Sequence, residues 1–547
     1  MQYSQWHIST IPSLSYIHSM SKALIVSSIL IALFFFSCKN GTSRKPVVRD
    51  TSITTSTSFN NLFFDSVKLS AFLLNHPEYQ NFTQQFNDFY QDRNYAYAWF
   101  DSAGLAEQAL NFNNLQQNYI SSFSDSSIYN ALLDSLLQSF QQKDATKKFV
   151  NTQVLETELL LTGQFFQYAA KVYKGSDIDA AELGWFIPRK KIDLHALLDS
   201  TLQHKSAETY APQNSQYKRL QEYVQTYSRL SKENGFDSIP SLKKSLRKGD
   251  SSEIVLTIKK HLQLLGDLPQ NDGSAIFDTT LVLATKQYQR RMGLTEDGVI
   301  GNKMIAELNV PIKQRLRQIL INLERLRWMP PEKDTNYILV NIPEFMMHVY
   351  DSGRLQFNIN VIVGTAANNT VIFSDRLQYV VFSPYWNVPE SIVRGEILPG
   401  IKKNPNYLAK HNMEIVKQAS VPVIRQLPGP ANSLGLVKFL FPNNYNIYFH
   451  DTPNRNLFSQ SSRSFSHGCI RIAEPKKMAQ YLLRTDSSWT NEKIDSAMHL
   501  KKEKWVPLKK SVPVFIVYFT AWVDKDGQLN FRKDIYKHDE KMAMKLF

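Results

Sequence analysis

Ile447-Tyr448-Phe449-His450-Asp451-Thr452-Pro453, followed after a polar, Ser-rich loop by Ser466-His467-Gly468-Cys469-Ile470-Arg471, decides how this chain is read. The first run is β-rich and ends on a histidine just ahead of a turn-forming Thr-Pro. In the second, a glycine precedes a cysteine, so the backbone can turn sharply there and present N–H groups outward. A thiol becomes a nucleophile when a base takes its proton, and histidine is the usual base. Backbone N–H groups at Gly468 and Cys469 suit an oxyanion site, with His467 holding the loop or polarising a carbonyl. A Cys-His pair at arbitrary spacing says little by itself.

Upstream of this stretch, Tyr337 to Ile342, Met346 to Tyr350, Phe357 to Val363 and Leu377 to Phe382 read as strands, with Asp351-Ser352-Gly353 as a hairpin turn. Residues 389–427 interrupt them with polar, helix-like sequence, from Ser391-Ile392-Val393 to Ile415-Val416, and read as an insertion over the β domain. Strands resume at Leu436 to Phe441, and a late hairpin, Val514 to Val523 with Leu529 to Arg532, turns at Asp526-Gly527.

The β domain spans 335–525, with a C-terminal hairpin and tail at 526–547. A basic linker helix, Ile312 to Arg327, lies in 311–334. Before it, residues 248–310 form a three-helix module carrying Ile254, Ile258, Leu262 and Leu265, then Leu281, Ala284 and Tyr288, then Met304 to Leu308. Residues 59–247 hold few glycines and apolar stripes at helical spacing: Leu132, Leu133, Leu136, Leu137 and Phe140, then Leu155, Leu159, Phe166 and Ala170. They predict a helical domain whose stripes are core rather than a cofactor box.

The N-terminus predicts export. Lys22 leads into the apolar run Ala23 to Phe36 and then Ser37-Cys38, which reads as a secretory signal over 1–38. The run of about fourteen residues is short for a bilayer span. Cys38 resembles a bacterial lipoprotein cleavage and lipidation site, and Met20 opens a compact signal as an alternative start. A Ser/Thr-rich tether follows over 39–58. The chain has two cysteines, so with Cys38 in the leader, Cys469 is a lone thiol in an oxidising compartment. It is therefore either buried and inert or there for its chemistry.

With 547 residues, the chain exceeds a single core and divides into several domains. A net charge of +14 favours anionic partners or simply gives solubility. No nucleic-acid motif, metal-ligand spacing or nucleotide-binding glycine loop is apparent, so neither a cofactor nor a metal is expected.

The residues around the thiol resemble the active-site signature of the L,D-transpeptidases, which cross-link bacterial peptidoglycan. Leu323-Glu324-Arg325-Leu326-Arg327-Trp328, Pro384-Tyr385-Trp386-Asn387-Val388-Pro389, Pro428-Gly429-Pro430, Leu434-Gly435, Lys438-Phe439, Ala521-Trp522-Val523-Asp524 and Phe531-Arg532 resemble the large periplasmic branch of that family. Glu158-Leu159-Leu160-Leu161-Thr162 and Leu183-Gly184-Trp185 resemble its helical scaffold domain, and the three-helix module resembles a peptidoglycan-binding domain.

The resemblance implies a multidomain α+β protein: helical scaffold, peptidoglycan-binding-like module, and a mainly-β catalytic domain with a helical cap insertion. It implies that Cys469 attacks a tetrapeptide stem to form a thioester, and that His450 is proton donor and acceptor. Asp451 orients His450 through its backbone carbonyl or its side chain. His467 and Gly468 form the oxyanion loop with the Cys469 N–H. Trp386, Asn387 and Tyr448 line a donor groove, unless Trp386 packs in the core, while Ser466 and Arg471 contact substrate. Arg471 either pairs a substrate carboxylate or locks the loop to a neighbouring acid. Expected partners are peptidoglycan stem peptides and, through the signal or a lipid, a membrane; the expected location is the periplasm or cell envelope. Two rivals remain: a cysteine hydrolase on the same fold (an L,D-carboxypeptidase or an enzyme releasing protein from peptidoglycan) and a non-catalytic peptidoglycan-binding lipoprotein.

Overall fold

The computed structural model describes residues 62–547 except 102–103, 124, 142–150, 177, 190, 204–214, 234–235 and 331–333. The expected signal with Met20 and Cys38, and the tether at 39–58, lie outside the described residues. Among the described residues no helix is long and apolar enough to cross a membrane.

The chain opens with helices α1 (Ser66–Asn75), α2 (Thr83–Asp92), α3 (Glu107–Phe123), α4 (Ala131–Gln141), α5 (Asn151–Ala169), α6 (Leu194–Leu202) and α7 (Ser215–Leu230). α5 is the axis of this bundle: Leu159, Leu160, Leu161, Phe165 and Phe166 are all buried, and so are its polar Thr157, Thr162 and Gln164. On the same helix, buried Glu158 accepts the N–H groups of Ala98 at 2.6 Å and Trp99 at 2.9 Å and the Tyr90 hydroxyl at 2.9 Å. Burial pushes its carboxyl up to about 7. One stripe expectation fails: Leu132 is 45% exposed, because α4 turns Leu133, Leu136 and Leu137 inward instead.

The module that follows has three helices, α8 (Glu253–Leu264), α9 (Thr279–Arg291) and α10 (Asn302–Leu308), closed by Ile258, Leu262, Leu281, Ala284, Tyr288, Met304 and Ile305.

α11 (Ile312–Trp328) is a buried strut rather than a linker. Its Glu324 takes the backbone N–H and hydroxyl of Ser176 at 2.6 and 2.8 Å, Arg327 at 2.7 Å and the Trp328 indole at 2.9 Å. These contacts bind the helical bundle to the rest of the chain, since Ser176 follows α5 and Arg327 also reaches Tyr217 on α7 at 2.9 Å.

The β domain contains β1 (Tyr337–Asn341), β2 (Met346–Asp351), β3 (Arg354–Gly364), β4 (Phe373–Phe382), β5 (Trp386–Asn387), β6 (Met413–Lys417), β7 (Val423–Gln426), β8 (Val437–Leu440), β9 (Phe449–His450), β10 (Ser464–Ser466), β11 (Ile470–Ile472) and β12 (Lys504–Val517). Nine of them form one sheet in the order β10-β3-β11-β9-β8-β4-β12-β1-β2, and β2 pairs back onto β3, so the sheet closes on itself. Closure protects the backbone edges that an open sheet would expose. Alternate residues fill the interior, including Ile338, Val340, Val349, Val380, Phe439, Phe449, Ile470 and Ile516. The β2–β3 turn has Ser352 and Gly353 both at positive φ, 53° and 72°, as a tight hairpin requires.

The cap is helical only in its first half, with short pieces at Glu390–Ile392, Leu398–Lys403 and Tyr407–Lys410. Its second half, including Ile415, is a hairpin of β6 and β7 that pairs with β5 in a separate three-stranded sheet. The cap has its own small core of Val388, Val393, Ile397 and Ile424. Buried Asn432 staples its two stalks, donating to Pro384 O at 3.1 Å and Leu427 O at 2.9 Å. The expected late hairpin divides in two: Val514 belongs to β12 in the main sheet, and β13 (Ala521–Val523) pairs with β14 (Leu529–Phe531) separately. A helix, His538–Leu546, follows where a tail was expected.

Glu324→Ala leaves Arg327 nearly buried without its carboxylate and is expected to cost about 3–5 kcal/mol in urea denaturation. A loss below about 1 kcal/mol, the scale of an exposed pair, would contradict the bridging role.

Candidate active site

β9 is only two residues long, yet it sets the site. It lies between β8, antiparallel, with Lys438 opposite His450, and β11, parallel, with His450 opposite Arg471 and Phe449 opposite Ile470. Phe449 and Ile470 are fully buried in the barrel interior. Side chains alternate along a strand, so Tyr448, His450, Cys469 and Arg471 share the opposite face. Residues 21 apart to 23 apart in sequence thereby become cross-strand or diagonal neighbours, roughly 5–8 Å apart at Cβ. The Ile470 N–H donates to the Tyr448 carbonyl at 3.1 Å and extends the pairing to the nucleophile's doorstep.

His450 is buried, and its Nδ1 lies 2.6 Å from the Asp451 carbonyl. A carbonyl only accepts, so Nδ1 carries the proton and Nε2 keeps its lone pair. The backbone therefore orients His450. The Asp451 side chain has other work: it accepts Thr452 N–H at 2.6 Å, Leu436 N–H at 2.9 Å and the Arg455 guanidinium at 2.6 Å. A side chain on Gly435 would strike this carboxyl, which explains a glycine there.

Burial, with cationic Arg471 and Lys438 on the flanking strands, pushes His450 down to about 3. Cys469 is half-buried, and its Sγ donates to Asn446 O at 3.4 Å. Burial pushes the thiol above its ordinary value, against hydrogen bonds from Tyr448 and the charge of Arg471. The resting pair is thus neutral thiol and neutral imidazole.

Gly468 has φ +113°, a conformation that favours glycine immediately before the nucleophile. Its N–H donates to Ser466 Oγ at 3.1 Å, so it is committed within the loop and is not the free oxyanion donor expected of it. Buried Ser466 also donates to the Cys469 carbonyl at 2.6 Å; it braces the loop rather than facing substrate. The Cys469 N–H has no partner among the described residues and is the donor left at the loop. His467 is exposed beside it.

Residues 335–511 match the profile of the L,D-transpeptidase catalytic domain. The β domain is thus similar to L,D-transpeptidase catalytic domains. Residues 84–223 match a scaffold domain and 251–308 a peptidoglycan binding domain. A Haemophilus influenzae protein named provisionally as an L,D-transpeptidase is 34% identical over 245 residues, which is 42% of this chain. The match spans about half of that relative, 49% of its length. Among solved structures, L,D-transpeptidases of Xylanimonas cellulosilytica (14% identity, 51% of this chain and 100% of that one, TM-score 0.17) and Stackebrandtia nassauensis (13%, 51%, 96%, 0.22) also align. Scores that low add nothing to the sequence match.

Within the matched domain, Tyr448 stands at the thiol, its ring 5.7 Å from that of His450. Trp386 and Asn387 do not join this cluster. They form β5 at the root of the cap, where Trp386 packs against the cap core and Asn387 is exposed. Arg471 forms no ion pair among the described residues, and its Nε is buried without a partner, so the reading of it as a lock to a neighbouring acid fails. Sequence reasoning missed Lys438 as a neighbour of His450 and Asn446 as the thiol's acceptor. A register for the β8 strand, had it been derivable, would have found Lys438.

Thiolate, not thiol, reacts with iodoacetamide, so a raised thiol value makes the alkylation rate of Cys469 climb with pH. The expected profile rises about tenfold per pH unit between roughly pH 6 and 8. A flat rate across that window would mean a resting thiolate–imidazolium pair and would overturn the neutral assignment.

Proposed function

We propose that this protein forms peptidoglycan cross-links by acyl transfer from a tetrapeptide stem through a Cys469 thioester. The observation that carries the reading is the cross-strand face itself: thiol, proton-accepting imidazole and an unpaired guanidinium side by side in a transpeptidase domain. The peptidoglycan binding domain in the same chain supports a cell-wall substrate.

Nε2 of His450 takes the thiol proton as Sγ attacks the carbonyl between the third residue of the stem, meso-diaminopimelate, and the D-Ala at position four. The carbonyl oxygen becomes an oxyanion held by the Cys469 N–H. The C–N bond then breaks, His450 returns the proton to the departing D-Ala amine, and a thioester remains. An acceptor amine attacks that thioester, gives its proton to His450, and the thiol is regenerated. Arg471, with no carboxylate paired to it among the described residues, is placed to take a carboxylate of the stem peptide. The work is done in the periplasm or cell envelope, with the chain held to a membrane by its N-terminal signal or by lipid on Cys38.

Incubation with tetrapeptide muropeptides and mass spectrometry tests the reaction. Dimers joined through two diaminopimelates are expected. Tripeptide monomers alone would instead establish the hydrolase. A carbapenem is expected to add to Cys469 in intact-mass analysis, and Cys469→Ala to lose the adduct while keeping its melting temperature. No adduct on the unaltered protein would favour the binding-only rival. His450→Ala is expected to slow acylation roughly 10²–10⁴-fold, the range for loss of a general base; an unchanged rate would remove His450 from the mechanism.

A further inference from the structure

Gly364 ends β3, and residues 365–370 form a tight turn beneath the Ser466–Cys469 loop, so tight that a side chain on Gly364 would strike the Asn368 carbonyl. Thr370, buried at the end of that turn, accepts the Gly364 N–H at 2.9 Å and donates its hydroxyl to the Gly468 carbonyl at 2.8 Å. The turn is in turn held by Tyr536, from the segment after β14. Its buried hydroxyl donates to Gly364 O at 2.6 Å and accepts the Thr370 N–H at 3.3 Å. Tyr536 is itself fixed: its N–H donates to the Tyr518 hydroxyl at 2.9 Å, that hydroxyl donates to Asp534 at 2.7 Å, and the two rings stack at 5.6 Å.

The geometry of the peptide bond turns this bracing into a functional matter. The Gly468 carbonyl and the Cys469 N–H belong to one planar trans peptide and point in opposite directions. Holding the carbonyl inward on Thr370 aims the N–H outward, toward the place where charge develops on the attacked carbonyl oxygen. We infer that Thr370 and Tyr536 are positioning residues of the acyl-transfer step, which fix the direction of the Cys469 oxyanion donor without touching substrate. Tyr536 lies beyond the matched transpeptidase profile, which ends at residue 511, so the C-terminal segment is part of the catalytic apparatus.

This inference rests on the acyl-transfer reading above, and two probes separate them. Carbapenem acylation forms an oxyanion; iodoacetamide alkylation attacks a saturated carbon and forms none. Thr370→Val and Tyr536→Phe each delete a hydroxyl with almost no change of shape. Both are expected to slow carbapenem acylation by about ten- to a hundredfold, the scale of a small misplacement at a reacting centre. Alkylation is expected to stay within about twofold of the unaltered protein, since the thiol's own surroundings are untouched. Thr370→Ser keeps the hydroxyl and is expected to restore acylation to within about threefold. Unchanged acylation in both deletions, a parallel fall in alkylation, or a Thr370→Ser variant as slow as Thr370→Val would overturn the positioning role. Absence of carbapenem acylation in the unaltered protein would overturn the functional reading, and this inference with it.

Discussion

The parallel pairing of Phe449 with Ile470, and of His450 with Arg471, is the constraint on which the site depends. Two apolar side chains seal the barrel interior at that point, and their burial fixes the register. A slip of one residue would send His450 and Arg471 into the core and bring Phe449 and Ile470 to the surface. The apolar pair therefore places the reactive pair, and the chemistry depends on residues that take no part in it.

The same register explains the electrostatics. Lys438 and Arg471 are the cross-strand neighbours of His450, one on each side, and together with burial they hold the imidazole neutral. Lys438 is answered by Glu503 at 3.1 Å, whereas Arg471 has no such partner among the described residues. In the proposed acyl transfer, a cation that disfavours an imidazolium at rest would favour negative charge on sulfur and on the attacked carbonyl oxygen.

Much of this was legible in the sequence. The signature around His450 and Cys469, the helical character of the first half and the three-helix module all correspond to described elements. What escaped was long-range. Arg471 and Lys438 are 33 residues apart, and only the sheet order makes them flank one histidine. Ser466 looked available to substrate because its hydroxyl is polar and near the thiol; the loop's own N–H and carbonyl claim it. The second half of the cap read as helical because its strands are short and polar; they pair with each other, and β7 alone pairs on to β5, at the start of the insertion. Helix α11 read as a linker because its charges are obvious in sequence and their buried partners are not.

Tyr536 carries one further consequence, for how such proteins are divided. Homology draws the edge of the catalytic domain at residue 511, but the folded unit does not stop there. Cutting at that boundary would remove the Tyr518 and Tyr536 hydroxyls, leave the buried Thr370 amide without its acceptor, and take from the Gly364 carbonyl one of its two donors, the other being the Ser464 hydroxyl. The stretch that the family profile covers and the stretch that these hydrogen bonds tie together are different lengths. An excised domain would bear the right signature and lack the brace that gives the signature its geometry.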